Sequence, residues 1–274
     1  MGLMGLIGLK ATGTAASFAK VAGQARRWIG QRRREWQRHR PLAEAFGHFL
    51  PRRCLLCETS CGTSPLCPAC ERFLPGARRP RCLICARPWQ TSERCAGCRD
   101  APPAYDATVV AADYAPPLDR AITALKFAGQ IGLAQGLGDL LAGALQAERD
   151  SPVPTLDRFV PIPLAAPRLA QRGFNQSQLI AASMLRHASM PPARLLHPEI
   201  LVRQRDTVAQ SLLLWSARQA NLDHGFVATT DLAGLRIGVV DDVMTTGATL
   251  QAAALALKAA GAVKVVNLVV ARTA

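Results

Sequence analysis

Long apolar runs are missing from this chain. None of its 274 residues falls in an uninterrupted apolar stretch of 18, so no spanning helix is expected. Aromatics make up only 5%, too few for extensive base stacking. Acidic residues are scarce, 19 against 33 Lys and Arg, leaving a net charge of +14. Cysteine is absent outside positions 54–98, which excludes a cysteine nucleophile of the glutaminase kind anywhere else. The nine cysteines inside that window are odd in number and set as Cys-x-x-Cys pairs. That argues against a secreted disulfide framework and for a reducing cytoplasm. A Walker loop, GxxxxGK[ST], is also absent.

What is present is 49% hydrophobic and long enough for two domains and an extension. The charge is uneven: residues 1–53 carry +9, residues 54–100 carry +3, and residues 101–274 carry +2. A basic partner surface, if used, is therefore N-terminal. MGLMGLIGLK opens the chain with its positive charge after the apolar stretch, the reverse of a signal peptide. Residues 15–40 have the spacing of a basic helix with Phe18, Val21, Trp28 and Trp36 as apolar points. Residues 1–50 are read as a poorly ordered or helical basic extension, a solvated tail before a functional one.

Pro51 and Pro102-Pro103 bracket a cysteine block, residues 51–101, too broken by Pro and Gly to bury a core of its own. From residue 105 to 274 strand and helix patterns alternate. Strands are predicted at 107–114, 157–163, 234–243 and 263–273. Helices are predicted at 118–127, 131–149, 175–188 and 248–262, the last stopped at Gly261. This is the pattern of an α/β fold with a parallel sheet and helices on both faces. The apolar run before Asp241 suits a central strand.

The cysteine block is an internal repeat. Cys54, Cys57, Cys67 and Cys70, shifted by 28 positions, give Cys82, Cys85, Cys95 and Cys98. Two Cys-x-x-Cys knuckles supply the four thiolates of a structural Zn²⁺, held at about 2.3 Å in a tetrahedron, and metal binding supplies the missing folding energy. Two zinc sites are expected. Sequential pairing of knuckles is the simplest, and an interleaved pairing uses the same residues. Cys61 has no repeat partner and reads as a spare thiol.

GVVDDVMTTGATLQAA (238–253) carries the functional argument. A buried strand runs into Asp241 and Asp242. A loop of small residues follows: Val243, Met244, Thr245, Thr246, Gly247, Ala248 and Thr249. A helix starts there. Ligands of open α/β sheets bind at this carboxyl edge. Loop and helix amides, the helix dipole and threonine hydroxyls can receive a phosphate without a lysine. The carboxylates can accept the hydroxyls of a ribose, and one can reach a Mg²⁺. Residues 237–249 resemble the phosphoribosyl-diphosphate signature of type I phosphoribosyltransferases: apolar residues, two acids, then a Thr/Gly loop.

The order of knuckles and then this domain resembles the ComF family, also called GntX-like, over about residues 50–273. The likeness extends to YAPPLDRAITALKFAG (114–129), VPIPLAAPRLAQRGFNQ (160–176) and the spaced set Arg203, Thr207, Gln210, Arg218, Asn221 and Phe226. The resemblance implies a double zinc ribbon followed by a type I phosphoribosyltransferase fold. The loop bearing Arg168, Arg172, Gly173 and Asn175 would then hold a diphosphate opposite residues 241–249. Lys126 offers a second positive charge or is a solvated helix-end lysine. Arg203, Arg205 and Arg218 fall where this fold makes a hood over the acceptor. The resemblance also implies a cytoplasmic role in natural competence.

Two function classes follow. In one, Asp241, Asp242 and Arg172 are catalytic in phosphoribosyl transfer from phosphoribosyl diphosphate, with Mg²⁺, to an acceptor that no residue run identifies. In the other, the chain is a non-catalytic single-stranded-DNA accessory of the competence machinery. Its pocket would then take a nucleic-acid phosphate or a regulatory nucleotide.

Overall fold

The computed structural model describes residues 53–273 except positions 63, 75, 78, 92, 149–154, 188–194 and 204–224. The readings of residues 1–50, and of Arg205, Thr207, Gln210, Arg218 and Asn221, lie outside the described residues. Arg52–Ala274 is one compact unit. In chain order it holds α1 (Pro68–Arg72), α2 (Ala96–Asp100), β1 (Ala107–Asp113), α3 (Leu118–Phe127), α4 (Leu133–Ala147), β2 (Arg158–Pro161), α5 (Ala166–Arg172) and α6 (Gln176–Met184). Then come β3 (Leu201–Arg203), β4 (Phe226–Ala228), β5 (Arg236–Met244), α7 (Ala248–Ala259) and β6 (Lys264–Arg272).

The main sheet runs β1-β6-β5-β2 with every pair parallel, and β3 pairs with β4 antiparallel. The apolar run of β5 is central, and period-two alternation sends its side chains to opposite faces. Ile237 and Val239 join one core with α7, β3, β4 and the second cysteine repeat. Val240 joins the other core with α3, α4 and α6. Both faces are thus covered, as a parallel sheet requires.

The strand–helix alternation read from the sequence is present. Two places differ: β3 and β4 form where no strand is predicted, and one loop is helical. Residues 166–172, read as a loop, form α5. Pro167 suits its first turn, and Gly173, at φ +79°, ends it with its N–H on Leu169 O at 2.8 Å.

The repeat of 28 residues is also a repeat of backbone. Bridges Arg53–Ser60 and Arg81–Pro88 correspond. So do the hydrogen bonds Cys54 N–H to Thr59 O and Cys82 N–H to Arg87 O. Glu58 and Ala86 share a positive φ, 60° and 55°, and α1 and α2 follow at the same offset.

Candidate functional site

The cysteines form two groups: Cys54, Cys57, Cys67 and Cys70, then Cys82, Cys85, Cys95 and Cys98. Within each, all sulfurs lie within 4.8 Å of one another. The knuckles therefore pair sequentially. Four thiolates at zinc distance in a tetrahedron stand about 3.8 Å apart. The Sγ–Sγ distances Cys57–Cys67, 3.6 Å, and Cys85–Cys95, 3.7 Å, fit that spacing. Cys61 belongs to neither group, and its thiol donates to Ser64 O at 3.0 Å. The two centres differ in setting. Cys57 is exposed and Cys70 half-buried in the first, whereas all four ligands of the second are buried.

β5 delivers Asp241 and Asp242 to the carboxyl edge of the sheet, both buried. Asp241 Oδ1 accepts from Ser177 Oγ at 2.9 Å and from Asp242 N–H at 2.9 Å. Burial, and then the neighbouring Asp242 carboxylate, push Asp241 up to about 8, against the pull of the Ser177 hydroxyl. Asp242 Oδ1 accepts from Val243 N–H at 2.9 Å. Its Oδ2 is buried and stands 2.6 Å from Lys126 Nζ, an ion pair. Lys126 is thus a partner of the acidic pair rather than a solvated helix end.

Beyond them, Thr245 and Thr246 are exposed, as are Ala248 and Thr249 at the start of α7. Gly247 sits at φ +87° as the N-cap and supplies no side-chain cap to the helix. A Cβ there would lie 2.7 Å from Met244 Cε and 3.2 Å from Tyr105 Oη. The Thr246 hydroxyl accepts from Ala248 N–H at 3.3 Å, so the protein already engages one amide of the cradle.

The expected diphosphate loop is helical over Ala166–Arg172, and Arg172 and Asn175 have partners of their own. Arg168 is exposed on α5. Arg172 donates to Gln176 Oε1 at 2.6 Å and lies over the exposed Phe127 ring, 5.4 Å from its centroid. Asn175 caps α6 at Ser177 N–H and donates to Ile162 O. Arg203 stacks on Phe226 at 5.5 Å. A hollow of about 420 Å³ between the second ribbon and the amino ends of β1 and β6 is lined by Arg94, Tyr105, Asp106 and Lys264. It lies at the opposite edge from the acids, where parallel sheets do not seat ligands.

Sequence reasoning missed Ser177 and Arg272. Arg272 is 1% exposed. It donates from Nε to Cys85 O at 2.9 Å, and from an Nη to Met244 O at 3.0 Å and to Thr245 O. An arginine closing the apolar run VVNLVVA was the available signal.

The double zinc ribbon domain family matches residues 45–99. Over 173 residues the chain is 36% identical to the "DNA utilization protein YhgH" of Escherichia coli K12, covering 61% of this chain and 73% of that protein. The chain belongs to the ComF/YhgH family. "Competence protein F" of Haemophilus influenzae is 31% identical over 157 residues, 56% of this chain and 67% of that protein. Among the described residues of this ComF-family chain, no helix is long and apolar enough to cross a membrane.

Proposed function

We propose that this ComF-family chain binds phosphoribosyl diphosphate through residues 241–249, has a type I phosphoribosyltransferase fold, and serves DNA uptake. The observation that carries the reading is the pairing of two buried carboxylates with an exposed Thr/Gly helix start, one of whose amides is engaged by the Thr246 hydroxyl, at the end of one central strand. Hydroxyls of Thr245, Thr246 and Thr249 and the amides beside them donate to the 5′-phosphate. Asp241 and Asp242 accept ribose hydroxyls. A carboxylate is a hard oxygen ligand, so Asp242 Oδ2 would hold a Mg²⁺ that neutralises diphosphate oxygens, in place of its lysine partner. Lys126 already neutralises that oxygen and shares or yields it on binding. Arg172, with Arg168 on the same helix, supplies positive charge for the leaving diphosphate once it turns from Phe127. Breaking the C1–diphosphate bond passes through an oxocarbenium-like state, which paired carboxylates stabilise.

The test is thermal unfolding with phosphoribosyl diphosphate and Mg²⁺. Ligand at 100-fold its Kd stabilises the native state by about 2.7 kcal/mol. The expected result is a rise in Tm for the wild type and none for Asp241→Asn. An equal rise in both sinks the reading.

A second reading, single-stranded-DNA binding without catalysis, is favoured by one observation. Phe127 is 76% exposed, with the Arg172 guanidinium over its ring, a surface suited to stacking a base. It is supported if single-strand affinity falls steeply with salt and most of it is lost on deleting residues 1–53. It is contradicted if affinity is absent or insensitive to salt. The names of the relatives, which speak of DNA utilization and competence, fit either reading.

A further inference from the structure

The second metal centre is built against the underside of the 244–247 loop, and the first is not. Three consecutive carbonyls of the Cys82–Cys85 knuckle are held by the sheet. Leu83 O accepts from Thr108 N–H at 3.0 Å, Ile84 O from Thr108 Oγ at 2.6 Å, and Cys85 O from Arg272 Nε at 2.9 Å. The same arginine donates to the carbonyls of Met244 and Thr245 at the loop's start, and Thr273 N–H adds a bond to Met244 O at 3.1 Å. Tyr105, in the same core as Cys82, Cys85 and Cys98, places its hydroxyl beneath Gly247.

Charge explains why a buried arginine is tolerated here. Among the described residues no carboxylate pairs with Arg272, and its acceptors are neutral carbonyls. A buried guanidinium needs a counter-charge nearby. Four thiolates around a divalent ion would carry a net −2, and Cys85, whose carbonyl accepts from Arg272 Nε, belongs to the second set. Among the described residues no buried arginine is bonded to the first set: Cys57 faces solvent, and that ribbon meets the domain through Leu55, Leu56 and Leu74 on the other core.

We infer that Arg272 is a positioning residue that locks the 244–247 loop to the second metal centre, so that metal loss at this centre loosens the loop and loss at the first does not. The lock stands on geometry alone; its effect on ligand affinity rests on the phosphoribosyl reading.

Hydrogen exchange of the zinc-loaded full chain, without sugar phosphate, tests it. Wild type is compared with Arg272→Lys, which keeps charge but loses the fork, with Cys98→Ser in the second centre, and with Cys57→Ser in the first. Peptides spanning 243–251 and 270–273 are predicted to exchange at least about tenfold faster in Arg272→Lys and Cys98→Ser, and at the wild-type rate in Cys57→Ser. If Arg272→Lys does not fold, the contrast between Cys98→Ser and Cys57→Ser decides. Unchanged exchange in Cys98→Ser, or equal loosening in Cys57→Ser, overturns the inference. Wild-type calorimetry with ribose 5-phosphate separates the two ideas, because absent binding with intact coupling contradicts only the phosphoribosyl reading.

Discussion

Asp241 holds its proton into a range where an ordinary carboxyl has lost it, because it is buried beside a second acid. Its ordinary value is about 3.9. Between that and about 8 the native state binds more proton than the unfolded chain, so stability falls as pH rises through this window. Asp241→Asn removes the titrating group while keeping an acceptor for Ser177. Urea melts from pH 5 to 8 are predicted to show a declining stability for wild type and a flatter profile for the variant; parallel profiles would contradict this. The pair was legible in the sequence as two adjacent acids after an apolar strand. Ser177 and Lys126 were not legible as their partners, since contact between residues 64 and 116 positions apart depends on how α3 and α6 cross the sheet.

At the level of elements, each principal strand was visible through its apolar run and each longer helix through its periodicity. The exception, α5, is instructive. Its seven residues bury nothing, so no hydrophobic period marks it, and only Pro at its start and Gly at its end give it away. The loop between β5 and α7 depends on a single backbone choice. Gly247, at φ +87°, turns the chain so that α7 presents its amino end outward. Gly247→Ala adds a Cβ 2.7 Å from Met244 Cε in a conformation that L residues disfavour. The predicted cost is about 1–2 kcal/mol in chemical denaturation, with loss of ribose 5-phosphate affinity. A neutral effect on both would mean that the turn is not strained and the approach not close.

Across the molecule, the sequence showed two equivalent zinc ribbons, and the structure shows two ribbons with unequal settings. The repeat fixes ligand number and backbone path, which are local matters. Which ribbon becomes part of the core is decided by Thr108 and Arg272, 24 to 187 positions away from the knuckle they hold, and no repeat pattern encodes that. The result is a chain in which the second knuckle, the sheet and the loop are joined by hydrogen bonds at the carboxyl edge of β5. On the proposed function, this edge grips one ribose-5-phosphate unit. Calorimetric titration of phosphoribosyl diphosphate with Mg²⁺ tests it most directly, wild type against the paired change Asp241→Asn and Asp242→Asn. Saturable one-to-one binding to wild type is expected, and at least about a hundredfold weaker binding to the pair, the loss of two charge-assisted contacts at about 1.5–3 kcal/mol each. No heat from wild type, or equal affinity in both proteins, would contradict it.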